Sequence, residues 1–245
     1  MEIDKSSIVY SLSGSQGDLY EYFPYLFQDL WELGGGSDEI IDLIERNCGL
    51  LNPTTKILEL CCGKGAVLIK IINKFNCIGK GIDLFEPFIN DAVNKAREYN
   101  LSDRIDFEVM DIKDAVNNLR NYDFVIYGSD TNILGDESES LRKIIKCCKP
   151  DGYLVYETVI KSEEDELKFL KELGLIIIDK QIAQPDEIRK MNDFINQKLI
   201  RRAEELIDKF PNQKKLFEDY ITAQKKESFE LENNLTLVRF LLQIN

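Results

Sequence analysis

Four strand ends in this sequence carry residues that can do chemistry. The run ILELCCGKGAVL, residues 57–68, ends an apolar stretch in Gly63-Lys64-Gly65 and then turns helical. Glycines there let the backbone turn sharply and let a ligand approach with no Cβ in the way. The helix start behind them offers unpaired N–H groups. Twenty positions after Gly63, a second apolar run ends GIDLF, with Asp83 at its tip. A carboxylate so placed accepts two hydrogen bonds from a ribose diol, as in dinucleotide folds. The third run ends VMDI, putting Asp111 on the same rim to accept from an exocyclic adenine amine, with Met110 and Ile112 flanking the ring. The fourth ends VIYGSDTN and adds Gly128, Ser129 and Asp130.

The elements that must position these residues follow from the hydrophobic pattern. From residue 55, short apolar runs (TKILELCC, NCIGKGIDL, RIDFEVMDI, YDFVIYGSD, GYLVYETVI) alternate with helical segments. That rhythm predicts a parallel sheet covered on both faces, a doubly wound α/β architecture. After residue 160 come a helix, a sixth strand in GLIIIDKQIA and a seventh in NNLTLVRFLLQIN. Between these last two strands, residues 185 to about 228 read as helix broken at Pro211. The expected organisation is an N-terminal helical cap over 1–50, a Rossmann-like cofactor-binding domain over 51–184 and 233–245, and a helical insertion over 185–232 acting as substrate wall or lid. Within the cap, the stretch GDLYEYFPYLFQDLWELGGG predicts a helix interrupted near Pro24, and Ser37 predicts the N-cap of the next helix.

Composition narrows the classes. The 245 residues carry a net charge of −13, which argues against nucleic acid as the partner. The sequence lacks an apolar run of membrane-spanning length and a leader-like start, so neither a membrane span nor a signal peptide is expected. The chain contains no histidine, which removes Ser-His-Asp and Cys-His catalysis and every histidine-ligated metal site. Six cysteines without a C-x-x-C pair read as reduced thiols in a cytoplasm, and no metal site is expected. Proton transfer is left to carboxylate, lysine, tyrosine or cysteine.

As a set, these motifs resemble the Rossmann-like S-adenosylmethionine-dependent methyltransferases. ELCCGKG resembles the family's glycine-rich first motif, GIDL its acidic second motif, VMDI its adenine-contacting motif, and CKPDGYLVYET the signature after its fourth strand; together they span about residues 37 to 160. The resemblance implies a mostly parallel seven-stranded sheet with a C-terminal antiparallel hairpin. It implies S-adenosylmethionine held by Glu59, Cys61, Cys62, Gly63, Gly65, Asp83, Leu84, Asp111, Ile112 and Gly128. The family commonly has glycine at the position of Cys61, and a side chain there narrows the space beside the methionine moiety.

The reaction implied is methyl transfer to a small-molecule acceptor. Candidate bases on the rim are Tyr127, Asp130 and Glu157, the last expected as a strand-end carboxylate facing water. Tyr20, Tyr22 and Tyr25 of the acidic, aromatic N-terminal segment are candidate substrate contacts, if that segment folds over the cofactor mouth. An acidic, aromatic-lined mouth favours a neutral or cationic acceptor. Other readings stay open. An NAD-dependent oxidoreductase fits less well, because the third position of the dinucleotide fingerprint is Leu68. A catalytically inactive cofactor-binding regulator, a tRNA or nucleic-acid methyltransferase contacting Arg189, Lys190, Lys198, Arg201 and Arg202, and a homodimer through the insertion are the others.

Overall fold

The computed structural model describes residues 5–13, 18–34, 36–49, 51–128 and 133–245. Helices α1 (Lys5–Ser13), α2 (Phe23–Leu26) and α3 (Ser37–Cys48) come first. The alternation then runs β1 (Lys56–Leu60), α4 (Ala66–Phe75), β2 (Ile78–Asp83), α5 (Glu86–Glu98), β3 (Ile105–Val109), α6 (Ile112–Asn118) and β4 (Tyr122–Gly128). It continues through α7 (Glu137–Ile144), β5 (Cys148–Ile160), α8 (Glu163–Glu172) and β6 (Ile176–Ile182). The long helices α9 (Pro185–Lys209) and α10 (Lys214–Asn233) separate β6 from β7 (Thr236–Gln243), with a single turn at Pro211–Gln213 where Pro211 breaks the helix.

The seven strands form one sheet in the order β3-β2-β1-β4-β5-β7-β6. Strands β1 to β5 pair in parallel, and β7 inserts antiparallel between β5 and β6. The doubly wound, mostly parallel sheet with an antiparallel end is as the sequence predicts. The order of strand addition reverses between the parallel neighbours β1 and β4, so their carboxyl ends open a crevice at the topological switch point.

Three apolar clusters hold the molecule. One lies under α6, α7 and α8 and includes Leu60, Ile82, Val125 and Phe240. The second packs α3 and α4 on the other face, around Ile44, Ile57, Ile69 and Val155. The third joins the N-terminal segment to α9 and α10, around Phe23, Leu26, Phe88, Leu199, Phe217 and Tyr220.

The N-terminal segment departs from expectation. Residues 18–34 make only a turn at Tyr20–Tyr22 and the short α2 before running irregularly onward. Pro24 sits in the first turn of α2, where its missing N–H costs nothing, so it opens a helix instead of interrupting one. Phe23, Leu26, Phe27 and Leu30 are all buried, which a surface helix with one apolar stripe would not achieve. The cap of α3 is Gly36; Ser37 is the first helical residue, and its hydroxyl accepts from Lys70 Nζ at 2.7 Å. Helix α1 was not anticipated.

Candidate functional site

The loop after β1 is a tight turn. Gly65 N donates to Cys62 O at 2.8 Å, and Cys62 N donates to Ile82 O at 2.9 Å. Cys61, Gly63 and Gly65 are all left-handed, with φ of 56°, 52° and 71°. At Gly65 a Cβ would stand 2.5 Å from Phe107 Cζ, so only glycine lets α4 start against β3 and α5. Gly65 is therefore a packing glycine, and it is not among the cavity-lining residues described below. Glu59, buried at the end of β1, accepts from Leu68 N at 3.1 Å. Burial pushes its carboxyl up to about 8, partly offset by that hydrogen bond.

Backbone N–H groups aim the two rim carboxylates. Asp83 Oδ2 accepts from Gly63 N at 2.8 Å and Oδ1 from Phe85 N at 2.9 Å. Asp111 caps α6, its Oδ1 accepting from Lys113 N at 2.8 Å. A carboxylate has about four acceptor sites, so each keeps capacity for a ligand.

These groups surround a cavity of about 340 Å³. Glu59, Cys61, Cys62, Gly63, Asp83 and Leu84 line it from β1 and β2, and Met110, Asp111 and Ile112 from the end of β3. Tyr127, Gly128 and Glu157 line it from β4 and β5. Asp130 and Ser129 lie outside the described residues.

Cys61 is exposed on the wall, whereas Cys62 is buried and its thiol is raised well above the ordinary range by burial, an inert packing group. All six cysteines are free. Among the described residues, no group of three or more His, Cys, Asp or Glu is placed to hold a metal ion, and no helix is long and apolar enough to cross a membrane.

Glu157 does not face water as expected. Its side chain is 17% exposed, and its Oε2 lies 2.6 Å from Nε of Arg239 on the adjacent β7. Burial raises its pKa above the ordinary carboxylate value, with Arg239 opposing. The Tyr127 ring lies nearly parallel to that of Tyr156, centroids 6.3 Å apart.

The three candidate tyrosines are placed elsewhere. Tyr20 packs edge-on to Phe85 under Lys5. Tyr22 sits between Phe210 and Phe217 and donates its hydroxyl to Gln213. Tyr25 donates to Glu205 Oε2 at 2.5 Å beneath Arg202. None lines the cavity: the partners of Tyr22 and Tyr25 lie on the helical insertion, and Tyr20 packs behind Phe85, the cavity-lining residue that precedes α5.

What covers the cavity instead is α1, through Ser7, Ile8, Ser11 and Leu12, and the irregular stretch Trp31, Glu32, Leu33 and Gly34. Sequence reasoning missed these. The single tryptophan was the available signal: Trp31 Nε1 donates to Lys64 O at 3.2 Å. The buried Lys64 ties loop to cover in return, donating to Phe27 O at 2.8 Å and pairing with Asp91 at 2.8 Å.

Three basic residues of α9 are tied to Asp29 of the N-terminal segment. Lys198 donates to Asp29 O at 2.8 Å, while Arg201 and Arg202 pair with the Asp29 carboxylate at 2.6 Å. Hydrogen bonding from Arg202 holds the Asp29 carboxyl down at about 2. Arg189 pairs with Asp186.

Comparison with known proteins adds three findings. A family described as a methyltransferase domain matches residues 51–227. No curated protein matches the sequence. Solved structures share the fold. An S-adenosylmethionine-dependent methyltransferase from Geobacter sulfurreducens, crystallised with S-adenosyl-L-homocysteine, superposes with a TM-score of 0.76 at 16% identity, covering 92% of this chain and 98% of that one. A second, from Thiobacillus denitrificans and also with S-adenosyl-L-homocysteine, gives 0.74 at 14% identity, covering 91% and 98%. Phosphoethanolamine N-methyltransferase 2 of Haemonchus contortus, with S-adenosyl-L-methionine, gives 0.66 at 14% identity, covering 100% of this chain and 60% of that one.

Proposed function

The chain is a member of the S-adenosylmethionine-dependent methyltransferase family, and from that premise we propose that it transfers a methyl group to a small-molecule acceptor. The carrying observation is the cavity at the switch point, where Asp83 and Asp111 converge on a glycine-floored turn.

The residues fit the cofactor. Asp83 takes the ribose hydroxyls; Asp111 takes the adenine amine, with Met110 and Ile112 on the ring faces. Glu59, Cys61 and Gly63 lie beside the methionine end. The walls carry Glu32, Asp83, Asp111 and Glu157, besides the protonated Glu59, against Lys64 and Lys113, which suits a cationic ligand. A dinucleotide fits worse. Glu59 takes the N–H of Leu68 in the first turn of α4, and Lys64 is committed to Asp91 and Phe27, so neither serves a pyrophosphate.

Bound there, the sulfonium supplies a methyl carbon already activated for attack. This chain's residues orient the partners and exclude water. Trp31 and Leu33 close the mouth; Tyr127 and Glu157 stand at its acceptor end, where Glu157 holds or takes a proton. In this reading residues 51–184 and 233–245 hold the cofactor, 1–50 cover it, and 185–232 form the acceptor wall. Six free thiols support a cytoplasmic setting.

Calorimetric titration with S-adenosylmethionine, S-adenosylhomocysteine and NADH tests the reading. Micromolar binding of both adenosyl compounds and none of NADH is expected; NADH binding alone would overturn it. Substrate-dependent formation of S-adenosylhomocysteine then separates an enzyme from a cofactor-binding regulator.

A further inference from the structure

A second cavity, of about 300 Å³, opens beside the first and shares Leu33, Gly34 and Glu157 with it. Its other walls come from α9, α10 and β7, where Met191, Ile195, Leu231 and Leu237 supply apolar surface. Two of the amide groups on those helices are already committed. Asn192 Nδ2 donates to Glu232 Oε1 at 2.8 Å, and Asn196 Nδ2 donates to Ser228 Oγ at 2.7 Å. The ionisable groups on this wall are Glu157 and Glu227; among the described residues no lysine or arginine lines it. Arg239 meets Glu157 from outside this cavity.

Resting on the methyltransferase reading, we propose that this cavity is the acceptor site and that it takes an apolar primary or secondary amine, its nitrogen against Glu157 at the junction of the two cavities. An anionic acceptor would meet Glu227 and a Glu157 already paired with Arg239, in a half-buried setting with no lysine or arginine on the cavity wall to receive it. An amine finds the opposite: apolar walls for its skeleton and a carboxylate for its nitrogen. Glu157 accepts a proton from the ammonium form. The freed nitrogen lone pair then makes the new N–C bond as the donor's S–C bond breaks, with that bonding pair remaining on sulfur. The proton held by Glu157 then passes to water, restoring the carboxylate, and the product leaves as the methylated ammonium.

Three probes of one skeleton test this on the whole protein: 2-phenylethylamine, 2-phenylethanol and 3-phenylpropionate, titrated calorimetrically with S-adenosylhomocysteine already bound. The amine is expected to bind at least about tenfold more tightly than the alcohol or the carboxylate. Leu231→Trp, which fills the second cavity only, is expected to weaken amine binding at least about tenfold and leave S-adenosylhomocysteine binding unchanged. Glu157→Gln is expected to level the amine and the alcohol; Glu227→Gln provides a second charge variant should the loss of the partner of Arg239 prevent folding. A carboxylate that binds as tightly as the amine, no amine binding to the loaded protein, or an indifferent Leu231→Trp each overturns the proposal. Failure of S-adenosylhomocysteine itself to bind would instead overturn the cofactor reading.

Discussion

The rim of the sheet and the helical cover above it are fixed in place by different bonds. On the rim, side-chain carboxylates take backbone N–H groups no more than 20 residues away: Glu59 from Leu68, Asp83 from Gly63 and Phe85, Asp111 from Lys113. Across the cover, side chains reach side chains far along the chain: Asp29 to Arg201 and Arg202, Tyr25 to Glu205, Tyr22 to Gln213. Backbone partners do not change when residues are substituted, whereas side-chain partners can be redrawn pair by pair. A fold arranged this way keeps its rim geometry while its helical cover diverges. That accounts for close structural likeness at 14 to 16% identity.

The largest expected effect is on the rim. Unfolded, Glu59 ionises near 4.5; folded and buried, it keeps its proton to about 8. Between those values the folded chain binds the extra proton, so rising pH favours unfolding, with a slope on the order of 1.4 kcal/mol per pH unit. Glu59→Gln retains an acceptor for the Leu68 N–H and removes the titration. Denaturant unfolding from pH 5 to 8 should show the wild type losing stability relative to Glu59→Gln by several kcal/mol. Parallel curves would mean that the carboxyl is solvated and the rim less rigid than described.

Next comes Gly65→Ala. A left-handed alanine with its Cβ in the Phe107 ring costs about 3 kcal/mol or more. The same change at Gly128, where a Cβ meets nothing within 4 Å, is the control and should stay within about 0.5 kcal/mol. Equal losses at both would remove the distinction between a glycine that packs and a glycine that lines. Asp83→Ala follows, weakening S-adenosylhomocysteine binding by about 1.5–3 kcal/mol for lost charge-assisted hydrogen bonds. Unchanged affinity in the folded variant would reject the ribose placement.

The same contrast decides what the sequence made legible. Rim residues announce themselves because strand, turn and helix follow in one short window, and alternation of apolar runs fixes which ends meet. Even there, Gly65 and Gly63 look alike in sequence, and only the approach of Phe107 separates them. The cover gave no such window. Seven aromatic residues between Tyr10 and Trp31 suggested an amphipathic helix lining the site. In the structure Tyr22 and Tyr25 serve Gln213 and Glu205, and Tyr20 serves Phe85. Glu157 was misjudged for the same reason, since its partner Arg239 lies on a strand more than eighty residues away that pairs only after α9 and α10 have been spanned.

Asp29 tests the cover with the smallest expected effect and the opposite sign of pH dependence. Its folded carboxyl is held at about 2 by Arg202, below the ordinary 3.8. Its contribution is therefore fully present above about pH 4 and is lost as pH falls toward 2, the reverse of Glu59. The group is partly exposed and its ion pairs are screened, so global stability should hardly move in Asp29→Ala. Local opening should move more: amides of Trp31 to Gly34 and of α9 around Arg202 should exchange several-fold faster at neutral pH, while those of Leu68 and Gly63 stay unchanged. Acidifying the wild type to pH 3 should begin to loosen the same cover amides, at a pH where protonated Glu59 holds the rim at its most stable. If Leu68 exchange accelerates with the cover in Asp29→Ala, rim and cover open as one unit. The tether through Lys64 to Phe27 O would then couple the two regions more strongly than their separate bonding implies.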